Sequence, residues 1–318
     1  MKLNEIYQFF IAQGMVEDLR TQTQIRKKLS LAKREYHKLK GLQKKFFDKE
    51  NLVNPYADTR ILFGDLNTEV KHVLVGIDIG VDEILLADRL SSKNKKIDLV
   101  ISHHPLGIAL AGLYEVMEIQ TTLLSSLGVK QEIAEKLMKE RTDQVERSLH
   151  SANHLRVVDA ARQIKMPLMC CHTPADNHVA QYLQRIMNKQ KPKTLENVVN
   201  LLLKEPEYRQ ASCYKAGPKI LVGDLKSKAG KIVLDMTGGT EGSDDVFARL
   251  SQAGVNTLLG MHVSERHFKK IKSEHLNVII AGHIASDNLG LNLLFDKLEK
   301  KAKTIEFVEC SGFKRVRR

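Results

Sequence analysis

Tryptophan is absent from this 318-residue chain, and phenylalanine and tyrosine supply an aromatic content of only 5%. Aromatic platforms that stack single-stranded bases are therefore not expected. The four cysteines, Cys170, Cys171, Cys213 and Cys310, contain no C-x-x-C pair. Cys170 and Cys171 sit in the apolar run Met166–Cys171, so they read as thiols packed as small apolar groups in a reducing, cytoplasmic setting. No apolar stretch is long enough to span a bilayer. Met1–Arg20 interrupts its apolar residues with Asn4, Glu5, Gln8 and Gln13, so no leader peptide is expected. A complete G-x-x-x-x-G-K-[ST] loop is also missing. Gly238, Gly239 and Gly242 read first as a tight turn and second as an anion contact.

What is present is an ordinary soluble composition, 42% hydrophobic and 28% charged, with a formal net charge of +12. Such a charge fits an anionic partner or a merely solubilising surface, and the second reading is preferred until the cations are located. Nine of them crowd between Arg26 and Lys45, in a segment whose periodicity predicts a helical hairpin broken near Gly14 and Gly41. A docked helix pair with a solvated basic face is the preferred reading of this segment. A nucleic-acid arm is the alternative.

After the Asn54-Pro55 turn the pattern changes. Val73–Asp78 reads as a buried strand, Gly80–Leu90 as a helix and Ile97–Ile101 as a second buried strand, which together make a βαβ unit and a parallel sheet. A helical stretch follows to about Ile164, and Met166–Cys171 is the next strand. The last third alternates again, with strands at Lys231–Asp235, Asn256–Leu259, Asn277–Ala281 and Thr304–Val308. No short-period repeat is visible, although the two βαβ-type regions have similar build. The fold class is therefore α/β: two α/β lobes facing across a metal-binding cleft, with an N-terminal helical extension and a helical insertion. The expected division is 1–55 for the extension, 56–215 for the first lobe with the insertion at about 113–164, and 216–318 for the second lobe.

Three strand ends deliver polar clusters: His103 with His104, His172 with Asp176, and His283 with Asp287. Parallel strands bring their C-terminal ends to one rim, so these groups can converge. Imidazole with carboxylate suits Zn, Fe, Mn, Co or Ni better than Ca or Mg. Each cluster has an ordinary reading too. The two histidines fit hydrogen-bonded structural roles as well as metal ligation. Asp176 and Asp287 each stand where a carboxylate can satisfy the free N–H groups of a helix start.

Ser102-His-His-Pro-Leu106 after a buried strand, His172-Thr-x-x-Asp176 and Gly282-His-x-x-x-Asp287 resemble the signature motifs of the NGG-interacting-factor-three family. Its members are also described as dinuclear metal centre proteins or GTP cyclohydrolase type-2 homologues. The resemblance spans roughly Val73 to Val308. It implies a two-lobed subunit, commonly assembled into a hexameric ring, with two divalent metal ions in the cleft between lobes. Carried over by position, the ligands are His103, His104, Asp176, His283 and Asp287, with Asp176 bridging the ions. His172, His262, Glu265 and His267 are second candidates, as hydrogen-bonding partners of the ligands or as proton carriers. The chain departs from the family in three ways: Asp287 stands where glutamate is usual, the stretch between His104 and Asp176 is long, and the basic N-terminal helices are additional.

The function these readings imply is a metal-dependent hydrolase, cyclohydrolase-like or phosphoesterase-like, acting on a nucleotide or on another phosphorylated or cyclic amide small molecule. It would be a homo-oligomer with no membrane partner. The competing reading is a non-catalytic metal-binding regulatory or scaffold protein that contacts nucleic acid through the basic arm. A metal-storage role is the third.

Overall fold

The computed structural model describes residues 1–93, 95–302 and 304–318. Its strands are β1 (Arg60–Phe63), β2 (His72–Gly76), β3 (Leu99–Ser102), β4 (Leu168–Cys170), β5 (Lys219–Val222), β6 (Ile232–Asp235), β7 (Thr257–Gly260), β8 (Asn277–Ile280) and β9 (Glu306–Glu309). They form two sheets, ordered β1-β4-β3-β2-β9 and β5-β8-β7-β6. The inner strands are short, mostly apolar runs, and every residue of β3, β4 and β7 is buried. Apolar side chains on both faces need helices on both faces, which is the signature of parallel pairing. Strands β2, β3 and β4 are indeed parallel, as are β6, β7 and β8. Strands β1 and β5 are antiparallel edges.

The two sheets repeat one design. Ile61-Leu-Phe-Gly-Asp-Leu66 and Ile220-Leu-Val-Gly-Asp-Leu225 occupy equivalent places. Each shifts register at the same point, between Ile61 and Phe63 and between Ile220 and Val222. The repeat is not complete, because β9 returns from the end of the 216–318 stretch to pair in parallel with β2.

Helices Thr173–Gln190 and His283–Lys301 follow β4 and β8 and are the most buried in the chain. Ala175, Leu291, Leu294, Phe295 and Leu298 pack into the core beside β2, β3 and β4. Val179, Leu183, Ala285 and Leu289 pack into the core beside β6, β7 and β8. Each helix thus serves both cores, and the two meet at Gly290, where an added Cβ would lie 2.4 Å from the Ala175 carbonyl oxygen. Gly290→Ala is expected to force the helices apart at a cost of about 1–3 kcal/mol. Thermal melts would read this as a lowered Tm.

The Leu3–Val16 helix belongs to the core and is not part of an extension. Leu3, Ile6, Tyr7, Phe10 and Ile11 are buried, and the Phe10 ring lies 5.8 Å from that of Phe295. The helix also runs through Gly14, where a break is expected from sequence. Packing against Pro174 keeps that position free of a side chain. The predicted break near Gly41 is present, between helices Gln22–Lys38 and Gly41–Phe46.

Just after the first helix, Glu17 bridges the central pair, accepting from Arg185 Nη1 and Lys297 Nζ at 2.8 Å each. Burial raises the Glu17 pKa, but the hydrogen bonds from Lys297 and Arg185 and the charge of Lys297 outweigh it and hold the carboxyl below its ordinary value. A depressed carboxylate stabilises the fold above its unfolded pKa and loses that contribution as pH falls through the folded value. Glu17→Gln is therefore expected to cost about 1 kcal/mol at neutral pH. The gap from the parent in chemical denaturation should narrow once the pH falls below the ordinary glutamate range and close as it passes through the depressed folded value.

The insertion forms helices Glu118–Ser126, Gln131–His150 and Arg156–Gln163. Gln120 Nε2 donates to the carbonyls of Gly238 (2.9 Å) and Thr240 (2.6 Å), and Arg141 Nε donates to that of Glu241 (2.9 Å). The insertion thereby holds the glycine-bearing loop after β6. Gly238 and Gly239 have φ of 98° and 88°, as a tight turn requires.

Candidate metal centre

Adjacent residues on a strand point to opposite faces, so His103 and His104 can share a site only where β3 has ended. The backbone N–H groups of His103 and His104 donate to the carbonyls of Gly76 and Ile77, at 2.9 Å each. Ser102 Oγ donates to the His104 carbonyl at 2.7 Å. These bonds bend the chain off the sheet and turn both rings to one side, with centroids 5.3 Å apart. His172 and Asp176 lie one turn apart at the start of one central helix, and His283 and Asp287 at the start of the other. Gly282, at φ 107°, makes the sharp entry into the second. A Cβ there would lie 2.5 Å from the Ala216 carbonyl oxygen.

The three clusters converge. His103 Nε2 is 3.4 Å from Asp176 Oδ1 and 3.4 Å from Asp287 Oδ1. Asp287 Oδ2 lies 3.5 Å from His104 Nε2 and 3.6 Å from His283 Nε2, and His172 Nε2 is 3.6 Å from Asp176 Oδ2. Bonds of about 2.0–2.2 Å place two donors of one tetrahedral ion about 3.3–3.6 Å apart. The spacing therefore fits shared cations. Three overlapping sets could each hold a metal ion: His103, His104 and His172; His104, His283 and Asp287; and His103, Asp176 and Asp287. The shorter side chain of Asp287 reaches three imidazoles without difficulty.

The hydrogen bonding decides between ligand and helix cap. His103 Nε2, Asp176 Oδ1 and both Asp287 oxygens are buried without any hydrogen-bond partner, so neither carboxylate is spent on backbone N–H groups in the way a cap would be. Three of the four imidazoles instead have Nδ1 engaged from behind. His103 Nδ1 meets the Cys171 carbonyl at 3.1 Å, His104 Nδ1 meets Asp78 Oδ1 at 2.6 Å, and His172 Nδ1 meets Asp58 Oδ2 at 2.9 Å. A carbonyl or carboxylate acceptor places the proton on Nδ1 and leaves the Nε2 lone pair free, the arrangement that metal-ligating histidines adopt.

The electrostatics call for positive charge. Burial alone would strip the proton from His103, but Asp287 and Asp176 overcome it and push the pKa up to about 10. Burial would raise Asp287, yet His103, His104 and His283 hold it far below the usual carboxylate range. Asp58, fully buried, is likewise depressed, its desolvation outweighed by its hydrogen bonds from His172 and Thr173.

The remaining candidates separate. His262 faces the cluster, its ring centroid 4.7 Å from that of His283 and its Nδ1 3.5 Å from Glu241 Oε1. His267 is buried, 3.8 Å from Glu241 Oε2 and edge-on to Phe247. Glu265 does not join them: it is exposed and paired with Lys269 at 3.4 Å. The first turn of its helix points outward, and the Ser264 side chain supplies the cap. Sequence reasoning missed Asp58, Asp78 and Glu241, which orient the histidines. A polar recess of about 60 Å³ opens beside the cluster, lined in part by Asp235, Thr237, Thr240 and Glu241.

The model of the family described as Duf34/NIF3 (NGG1p interacting factor 3) matches residues 125–313, which include Asp176, His283 and Asp287 but not His103 and His104. Among solved structures, the chain is similar to a NIF3 superfamily protein from Sphaerobacter thermophilus. The two share 28% identity with a TM-score of 0.69, over 81% of this chain and 92% of that one. It also shares its fold with reduced HcgD from Methanocaldococcus jannaschii, at 13% identity and a TM-score of 0.50, over 87% of this chain and 96% of that one. No protein with a curated description matches the chain.

Proposed function

The chain belongs to the Duf34/NIF3 (NGG1p interacting factor 3) family, and from that premise we propose that it is a metal-dependent hydrolase holding two divalent transition-metal ions in a cleft between two α/β lobes. His103, His104, Asp176, His283 and Asp287 hold the pair, and the position of His172 Nε2 adds it as a sixth donor. The observation that carries this reading is that Asp176 Oδ1, both Asp287 oxygens and His103 Nε2 are buried facing one another with no hydrogen-bond partner. Such an arrangement is costly without a cation between the groups. A bound pair supplies Lewis acidity at a phosphoryl or carbonyl oxygen and acidifies water.

The residues of the chain do the rest. Asp58 and Asp78 keep His172 and His104 in the ligating tautomer, and Glu241 holds the His262 ring at the cluster. The recess is lined by carboxylates, so it would admit the oxygens of a small phosphorylated or cyclic amide substrate only with the cations in place. The family resemblance also supports a cytoplasmic homo-oligomeric ring.

The test pairs elemental analysis of protein purified without chelators with a screen of nucleotide, phosphoester and cyclic amide hydrolysis. The expected result is bound transition metal together with turnover that a chelator abolishes and added metal restores. Metal-loaded protein that turns over none of these substrates would leave the competing reading, a non-catalytic metal-binding regulator, in its place.

A further inference from the structure

The excess positive charge of the chain has a location. Helix Gln22–Lys38 turns Ile25, Leu29, Ala32, Tyr36 and Leu39 inward, at helical spacing, and only Ile25 among them is fully buried. Its outer surface exposes Lys27, Arg34 and Lys38 opposite that stripe and Arg26 and Lys33 on one flank. Among the described residues none of these five cations lies within salt-bridge distance of a carboxylate. Among the described residues the one ion pair from this helix is on its inner side, Lys28 Nζ to Glu118 Oε2 at 2.7 Å.

The C-terminal cations behave differently. Lys314 pairs with Glu309, Arg315 with Asp296 and Glu299, Arg317 with Glu299, and Arg318 with Glu205 and Glu207. Where this fold needs a cation for its own packing it pairs it with a carboxylate; the one carboxylate of Gln22–Lys38, Glu35, is exposed beside the basic face, and among the described residues it pairs with none of these five cations.

We propose that this outer face is a binding surface for the phosphate backbone of duplex nucleic acid. From Arg26 to Lys38 the row is about 18 Å long at 1.5 Å per residue, and Arg26–Lys27 and Lys33–Arg34 stand one heptad, about 10 Å, apart. A duplex presents one charge per roughly 1.7 Å of its axis, so a row of this length faces several phosphates in any register. The contact reads charge and not sequence, because the face carries no exposed aromatic ring to stack on a base. A lipid surface fits less well. An interfacial helix sinks its apolar face into the bilayer, and here that face is turned against the protein. The proposal stands independently of the metal centre.

The experiment measures fluorescence anisotropy of labelled 20-base-pair DNA and RNA duplexes with the full chain at about 50 and 200 mM salt. Five phosphate contacts predict an affinity loss of about 500-fold between these two conditions. A variant with Arg26, Lys27, Lys33, Arg34 and Lys38 changed to glutamine is compared with a charge-matched control in which Lys136, Lys139, Lys226, Lys231 and Lys269 are changed to glutamine. The first should lose at least about 30-fold at low salt together with most of the salt dependence, and the control should bind like the parent, with both melting as the parent does. Equal losses in the two variants, unchanged binding by the first, or binding to anionic vesicles but to neither duplex would each overturn the proposal.

Discussion

Asp287→Asn protein is expected to fold and to bind divalent metal at least about 100-fold more weakly than the parent. Asp287 is the most connected member of the cluster, with Oδ1 at 3.4 Å from His103 Nε2 and Oδ2 at 3.5 and 3.6 Å from His104 and His283. Asparagine keeps the volume but removes the charge and replaces one lone-pair oxygen by an N–H₂ donor. Loss of a partner outside the ligand set already costs about 10–100-fold in affinity, and loss of a ligand should exceed that. The readout is the thermal shift on adding metal. At a hundredfold excess over Kd a ligand stabilises the folded state by about 2.7 kcal/mol. The parent should therefore gain several degrees in Tm and the variant almost none. A variant that responds to metal as the parent does would remove Asp287 from the site.

The second large effect is expected at Asp58, which no ordinary motif search would select. It is wholly buried and its Oδ2 receives both His172 Nδ1 at 2.9 Å and Thr173 Oγ1 at 2.6 Å. Asp58→Ala would leave the ring free to take the other tautomer and would strand two buried donors. The expected result is a 10–100-fold loss of metal affinity with about 1–3 kcal/mol of destabilisation. Asp58→Asn retains one acceptor oxygen and should recover part of the affinity. If metal binding falls only in proportion to Tm, and asparagine rescues nothing, Asp58 is a packing residue and the orientation argument fails for His172.

The sequence was most legible where chemistry and periodicity coincide. Buried runs such as Leu99–Ser102 and Asn277–Ile280 announce parallel strands. The histidines beyond them announce a site because imidazoles at strand ends need partners. The convergence of His103, Asp176 and Asp287 follows from two helices crossing closely at Gly290, and no local pattern reports that contact. Strands β1 and β5 are only four residues long and carry Arg60 and Lys219, so the periodicity assigns neither as a strand. The repeated Ile-Leu-x-Gly-Asp-Leu at Ile61 and Ile220 was the signal that would have found them, at a spacing too wide for a short-period search. Asp58 lies two residues before β1 and went unseen for the same reason. The Leu3–Val16 helix was grouped with a basic extension because the charge of its neighbours masked its own apolar face. Glu265 was drawn toward the site by its nearness in sequence to His262 and His267, but the helix beginning there directs it to solvent.

The most direct measurement is the anomalous scattering of crystals grown with zinc or manganese, recorded on both sides of the metal absorption edge. Two peaks are expected among His103, His104, Asp176, His283 and Asp287, each within bonding distance of at least one imidazole and one carboxylate oxygen. Peaks confined to surface residues, with the Asp287 oxygens contacting only protein, would contradict this expectation.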